Sequence, residues 1–345
     1  MKDYIEMVNE NVTIKEGITM LEQFLLTVYF ESPISNKVLA RKLMLPVPLI
    51  SAIKKEFIKL GLFVQYRGMT ITDKGKAYAE KTFGLKSIDK ELYLKLCQND
   101  VDLEELLYKY LDTLEEILNN RPLADRSLDQ AHCTYLTSFF RSVLTIDYRC
   151  LLNKKILCLG DDDLVSISIG LLLKQLYGDI THNKTEIHVV DMDKRYLSYI
   201  ETTAEKYQLP IKCHQMDLRE PMGDPFKHQF DCFFTDPPYT LNGLELFLSR
   251  GISALKKIKG LPVFLSFAHK SFDESYEMLR KFYEMGLCLN QIIPGFNEYE
   301  GAAIIGNIGQ LEVLYTTSKT KATIKSDQRF IRNLYTREVK YNMRV

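Results

Sequence analysis

From Lys154 onward, short apolar runs alternate with longer segments whose apolar residues recur at helical intervals. The runs "KKILCLG", "TEIHVVDMD", "IKCHQMDL", "FDCFFTDPPY", "LPVFLSFAH", "LCLNQIIPG" and "GQLEVLYTTS" read as strands. Leu164–Tyr177, Arg195–Tyr207, Leu244–Lys257 and Phe272–Met285 read as the helices between them. That alternation predicts an α/β fold, a mostly parallel sheet covered on both faces. Upstream the pattern is helical. "ITMLEQFLLTVYF", "SNKVLARKLML" opened by a Ser35 cap, and "VPLISAIKKEFIKLGLF" give three helices. "VQYRGMTITDKGKAYAEK" adds two short strands around Arg67-Gly68 and a helix starting near Asp73. "DLEELLYKYLDTLEEILNN" places Leu103, Leu106, Leu107, Tyr110, Leu111 and Leu114 on one helical face and stops before Arg121-Pro122. A polar loop then leads into a helix at "RPLADRSLDQAHCTYLTSFFRSVL".

The division expected from this pattern is a winged-helix-like domain at 1–90, a helical bridge at 91–150, a catalytic sheet domain at 151–318 and a tail at 319–345. The tail is polar and basic and is expected to be loosely ordered. The segment from Glu31 to Lys90 carries a charge of roughly +7. Winged helices bind DNA but also serve in dimerisation and substrate docking, so the fold does not choose among these. The whole chain has a formal net charge of zero, which weighs against affinity drawn mainly from nucleic-acid phosphates. Seven scattered cysteines without a C-x-x-C pair argue for reduced thiols, and no histidine spacing suggests a metal site. No apolar run approaches the ~20 residues that span a bilayer, and "MKDYIEMVNENVT" lacks the apolar core of a secretory signal. A cytoplasmic protein without a membrane partner is expected.

Candidate chemistry gathers where strands end, which is where open α/β sheets bind ligands. Gly160 and then Asp161, Asp162 and Asp163 follow the first strand of the sheet domain, where nucleotide-binding folds usually carry several glycines. Asp191 ends the second strand, about thirty residues later, where an acid typically takes ribose hydroxyls. Asp217 ends the third, and "TDPPYT" the fourth. Singly, each acid has a structural explanation, such as Asp163 capping the next helix. Four acid-ended strands together point to a ligand site. Successive prolines hold the chain extended, so Asp236 and nearby carbonyls face that site and Tyr239 adds a flat ring. Carboxylates beside a bound carboxylate would repel it, whereas they suit a cation.

"DPPY" resembles the catalytic motif of enzymes that methylate amino nitrogens with S-adenosylmethionine, which implies a Rossmann-like, methyltransferase-type sheet. With "RPLADRSLDQ", "GDDDL", "DMDKR", "DLREP", "TDPPYTLNGLELFLSRG" and "NEYEGA" in this order, the chain more specifically resembles the branched-chain polyamine synthases. The resemblance implies an aminopropyltransferase with no permanently bound cofactor. Its co-substrate would be decarboxylated S-adenosylmethionine and its acceptor the internal secondary amine of spermidine. It also implies that Gly160, Asp161, Asp162 and Asp163 line the donor pocket, with Asp191 on the ribose and Asp217 on the adenine amino group. Asp236, Pro237 and Tyr239 would hold the acceptor nitrogen, and Asp129, Gln130 and Glu300 its distal ammonium groups. A homodimer and no specific nucleic acid are expected. The alternative class is an S-adenosylmethionine-dependent methyltransferase of nucleic-acid bases, which leaves "GDDD" unexplained.

Overall fold

In a computed structural model, residues 3–98, 103–180, 183–336 and 338 are described. Ile156, Leu157, Cys158 and Leu159 are all buried, so the strand they form has both faces covered. It is β4 (Lys155–Leu159), the fourth strand in chain order. The preceding strands are β1 (Phe63–Gln65), β2 (Met69–Ile71) and β3 (His132–Cys133). After it come β5 (Glu186–Asp191), β6 (Ile211–Gln215), β7 (Cys232–Thr235), β8 (Pro262–Ala268), β9 (Leu287–Glu300) and β10 (Ile308–Thr316). The eight-stranded sheet runs β3-β9-β10-β8-β7-β4-β5-β6. From β6 to β8 the neighbours are parallel, and β10 is antiparallel to both β8 and β9. The chain lays β5 and β6 on one side of β4, then crosses to β7 and β8 on the other. The carboxyl ends of β4 and β7 therefore flank the point where strand order reverses.

Alternate residues of these strands feed two cores. Ile156, Cys158, Val189 and Phe234 belong to one, and Leu157, Leu159, Val190 and Phe233 to the other. The first face is covered by α8 (Tyr135–Asp147), α9 (Val165–Tyr177) and α10 (Lys194–Tyr207). The second is covered by α11 (Leu241–Ala254) and α12 (Phe272–Glu284). The seven expected strands and four expected helices of this region are present, with shifted ends. α11 begins at Leu241 because the Thr240 hydroxyl accepts from Gly243 N at 2.9 Å and caps it.

The N-terminal part comprises α1 (Tyr4–Asn11), α2 (Thr19–Glu31), α3 (Asn36–Leu43), α4 (Val47–Lys59), the antiparallel pair β1–β2 and α5 (Asp73–Phe83). Ser35 caps α3 as expected, its hydroxyl accepting from Val38 N at 3.2 Å. Phe24, Phe57 and Phe63 pack ring to ring at 4.9–6.1 Å, in a core continuous with the α8–α10 face of the sheet. α6 (Lys90–Gln98) was not anticipated; its Leu92, Tyr93 and Leu96 are buried. In α7 (Leu103–Asn119), Leu107, Tyr110, Leu111 and Leu114 are buried, while the side chains of Leu103 and Leu106 lie outside the description.

The tail departs from expectation. Through residue 336 it is packed, with Ile324, Phe330, Leu334 and Tyr335 buried in the α11–α12 core. Arg250 of α11 anchors it, donating from Nη1 to Lys325 O at 3.0 Å and from Nη2 to Gln328 O at 2.7 Å. Residues 339–345 lie outside the described residues.

Candidate active site

Gly160 ends β4 with φ +70°, a conformation that favours glycine, and turns the chain into three aspartates. The turn sends the three side chains in different directions. Asp161 is buried against the start of α9, where its Oδ1 accepts from Val165 N at 2.8 Å and its Oδ2 from Ser166 N at 3.2 Å. Burial raises its pKa to about 7. Asp163 accepts from Cys133 N and from Arg141 Nη1, both at 2.6 Å. Burial pushes Asp163 upward, but the Arg141 and Arg121 guanidiniums outweigh it and hold the carboxyl below its ordinary value. Asp162 alone of the three has no hydrogen-bond partner among the described residues, and it faces the main cleft, whereas Asp161 and Asp163 line with Arg141 a smaller adjoining cavity that shares Gly160, Asp162 and Asp236. Burial, followed by the charges of Asp163, Asp191 and Asp236, pushes its pKa well up.

The cleft lies over the strand ends and is lined by Asp129, Asp162, Asp191, Asp217 and Asp236. No lysine, arginine or histidine lines it among the described residues. Gly160, Gln130 and Pro238 complete its polar rim, with Met192, Met216, Phe247 and Tyr335 giving apolar walls. Asp191 is held by backbone donors, Oδ2 accepting from Asp161 N at 3.0 Å and Oδ1 from Asp193 N at 2.8 Å. Asp217 pairs with Arg219 at 2.7 Å. Asp129 accepts from Thr336 N of the tail at 2.7 Å, and Gln130 donates to Asp193 at 3.3 Å.

At the end of β7, the Asp236 carboxylate receives two donors on one oxygen. Tyr299 donates to Oδ2 at 2.6 Å and Arg141 Nη2 to the same atom at 3.1 Å. Burial raises the Asp236 pKa to about 7, against the pull of Arg141. Tyr239 packs edge-to-face on Phe267, ring centroids 5.2 Å apart, and its carbonyl accepts from Lys270 Nζ at 2.9 Å. Gly243 lets α11 close on this segment, because a Cβ there would lie 2.3 Å from Pro238 O. Pro237 is buried and Pro238 lines the cleft in its place.

Sequence reasoning missed Arg141, Asn297 and Tyr299. Arg141 is buried in α8, its Nε donating to Asn297 Oδ1 at 2.9 Å. "NEYEGA" had drawn attention to Glu300, which is exposed and does not line the cleft. Strand alternation explains the difference: Asn297 and Tyr299 share the inward face of β9, while Glu298 and Glu300 share the other. A lone arginine in the apolar helix "YLTSFFRSVLTID" was the available signal for Arg141.

A mostly parallel sheet whose strand order reverses at β4, covered on both faces and ending in an acidic cleft, defines an α/β fold with its cleft at the switch point. The family model for the branched-chain polyamine synthase A C-terminal domain matches residues 109–344. N(4)-bis(aminopropyl)spermidine synthase of Thermococcus kodakarensis is 31% identical over 305 residues, covering 87% of this chain and 83% of that protein. Methanocaldococcus jannaschii has two similar proteins. One, an N(4)-bis(aminopropyl)spermidine synthase, is 32% identical over 260 residues, covering 74% of this chain and 70% of its own. The other is uncharacterised and is 37% identical over 302 residues, covering 87% and 74%. The solved branched-chain polyamine synthase from Thermus thermophilus, in complex with N4-aminopropylspermidine and 5'-methylthioadenosine, shares the fold. Its TM-score is 0.56 at 21% identity, over 97% of this chain and 96% of that one. The chain belongs to the branched-chain polyamine synthase family, a family of aminopropyltransferases.

Proposed function

We propose that this enzyme transfers aminopropyl groups from decarboxylated S-adenosylmethionine to the internal secondary amine of spermidine, giving N(4)-aminopropylspermidine and N(4)-bis(aminopropyl)spermidine. The observation that carries the reading is a cleft with five aspartates and no basic side chain among its described lining residues. Such a lining favours a sulfonium donor with an ammonium arm and a polycationic acceptor. It disfavours intact S-adenosylmethionine, whose carboxylate would face Asp162, and this argues against the base-methyltransferase alternative.

The donor is already activated, so the protein's work is to align nitrogen, carbon and sulfur and to exclude water. Asp162 faces the donor's ammonium arm, Asp191 takes the ribose and Asp217 the adenine amino group. Asp236 accepts the proton of the attacking nitrogen, and Tyr239 and the Pro238 segment shape the acceptor channel. Asp129 and Gln130 meet the distal ammonium groups after the tail's hold on Asp129 is released. Asp161 and Asp163 support these groups through α9 and Arg141. The first addition ends as a tertiary amine after proton loss. A second ends as a fixed quaternary charge that the carboxylates stabilise.

The three-helix and hairpin module at the N-terminus is read as a winged helix that stabilises the sheet and does not recognise a nucleic-acid sequence. Its continuous core with the sheet supports that reading. A homodimer is supported by α12, whose exposed Phe272, Tyr276, Leu279 and Tyr283 form a stripe at helical spacing. Acids at Asp273, Glu274 and Glu277 and bases at Arg280 and Lys281 would meet across an antiparallel pair. The function is tested by incubating the enzyme with decarboxylated donor and spermidine and reading products by mass spectrometry. Gain of one or two aminopropyl groups on the internal nitrogen is expected. Unmodified spermidine, or addition at a terminal amine, would refute the assignment.

A further inference from the structure

Asp236 is gripped from one side. Both short hydrogen bonds to its carboxylate fall on Oδ2, from Tyr299 at 2.6 Å and Arg141 at 3.1 Å. The guanidinium cannot swing away to meet a substrate. Its Nε is spent on Asn297 Oδ1 at 2.9 Å and its Nη1 on Asp163 Oδ2 at 2.6 Å. Asn297 is itself pinned, donating from Nδ2 to Gln310 O at 2.8 Å. Tyr299 also lies 3.2 Å from Arg141 Nη2, so the three groups close a triangle around Oδ2. The charges do not repel a cation, because one arginine stands between the two carboxylates of Asp163 and Asp236.

We infer that Arg141 and Tyr299 are positioning residues that fix Asp236 by Oδ2 so that Oδ1 takes the proton from the acceptor's attacking nitrogen. This rests on the role proposed for Asp236 and adds the groups that aim it. In the step, the N–H bond of the acceptor ammonium breaks, its electron pair stays on nitrogen and the proton joins Oδ1. The freed pair then attacks the donor carbon, and the C–S bonding pair leaves on sulfur as a neutral thioether. The groups facing Asp236 are Arg141 from α8, Asp162 and Asp163 from the β4–α9 turn, Tyr299 from β9 and Tyr239 from its own segment. Of these, the tyrosines and Arg141 favour the charged carboxylate and the aspartates oppose it.

The test compares Tyr299→Phe, Arg141→Lys and Asp236→Asn with the wild type, using pH profiles of kcat and kcat/KM for spermidine. Tyr299→Phe removes one hydrogen bond to a charged group and should lower kcat roughly ten- to hundredfold. KM for spermidine should stay within about threefold, since Tyr299 is buried and does not line the cleft. The acid limb should move to higher pH, because Tyr299 helps to hold Asp236 ionised. Arg141→Lys keeps the charge without the two-directional grip and should recover only part of the activity. Thermal unfolding reports whether each variant is folded. If Tyr299→Phe keeps the wild-type kcat and acid limb while Asp236→Asn is inactive, the positioning role is wrong and the role of Asp236 survives. If Asp236→Asn is also active, both fall. A lower melting temperature with an unmoved pH limb would make Tyr299 a packing residue and overturn the inference.

Discussion

Replacing Asp162 with asparagine removes the one carboxylate of the "GDDD" turn that faces the main cleft without a hydrogen-bond partner among the described residues. An ammonium about 4 Å from it gains at most about 4 kcal/mol at an effective dielectric near 20. Part of that is offset, because burial and the charges of Asp163, Asp191 and Asp236 favour the protonated form of Asp162 in the empty enzyme. The net loss expected is that of one charged hydrogen bond, about 1.5–3 kcal/mol, or roughly ten- to hundredfold in affinity for decarboxylated S-adenosylmethionine. Intact S-adenosylmethionine should bind as well as before or better, since repulsion of its carboxylate is relieved. Asp161→Asn serves as the contrast. Its carboxylate accepts from backbone amides opening α9, so the variant should lose about 0.5–2 kcal/mol of stability with the donor ratio unchanged. Calorimetric titration of both donors into the wild type and both variants gives the ratio directly. A parallel loss for both donors in Asp162→Asn, or a shifted ratio in Asp161→Asn, would refute the reasoning.

Asp236→Ala should lose most turnover and remain folded, as measured by product formation and circular dichroism, because the residue borders a cleft. The N-terminal module should give at most weak, salt-sensitive binding to nucleic acid in a filter or anisotropy assay, and a sequence-selective nanomolar complex would contradict this. Charge introduced on the α12 stripe by Tyr276→Glu with Leu279→Glu should yield monomers in analytical ultracentrifugation, and an unchanged mass would exclude this surface. Asp161, Asp236 and Glu312 each have pKa values raised to about 7, so the stability they contribute is present at low pH and is lost as pH rises through 7. The melting temperature of the unliganded enzyme should therefore fall between about pH 4 and 7 and level off above that, with spermidine restoring part of the loss.

The sheet was legible because each strand is a short apolar run between turn residues, and its neighbouring helices carry clear periodicity. The position of the acidic cleft followed as well, since a switch point must lie at the carboxyl ends of β4 and β7. The tail was not legible, because Ile324, Phe330, Leu334 and Tyr335 are scattered singly through a polar segment and follow no period. Nor could spacing separate Asp162 from Asp161 and Asp163. In a tight turn each residue points its own way, and only the folded chain decides which ones the next helix and Arg141 claim. Arg141 itself looks like any surface arginine until α8 is docked against β9. Only then do Asn297, Tyr299, Asp163 and Asp236 surround it.

The central claim, that an acidic cleft selects a decarboxylated donor for a polycationic acceptor, is tested most directly by a donor competition. Equal concentrations of decarboxylated and intact S-adenosylmethionine are supplied with spermidine, and initial rates of 5'-methylthioadenosine and S-adenosylhomocysteine release are followed together by chromatography. The account predicts 5'-methylthioadenosine formation coupled to aminopropylation of the internal nitrogen, with S-adenosylhomocysteine at background. Steady S-adenosylhomocysteine release, with spermidine unchanged or methylated, would contradict it.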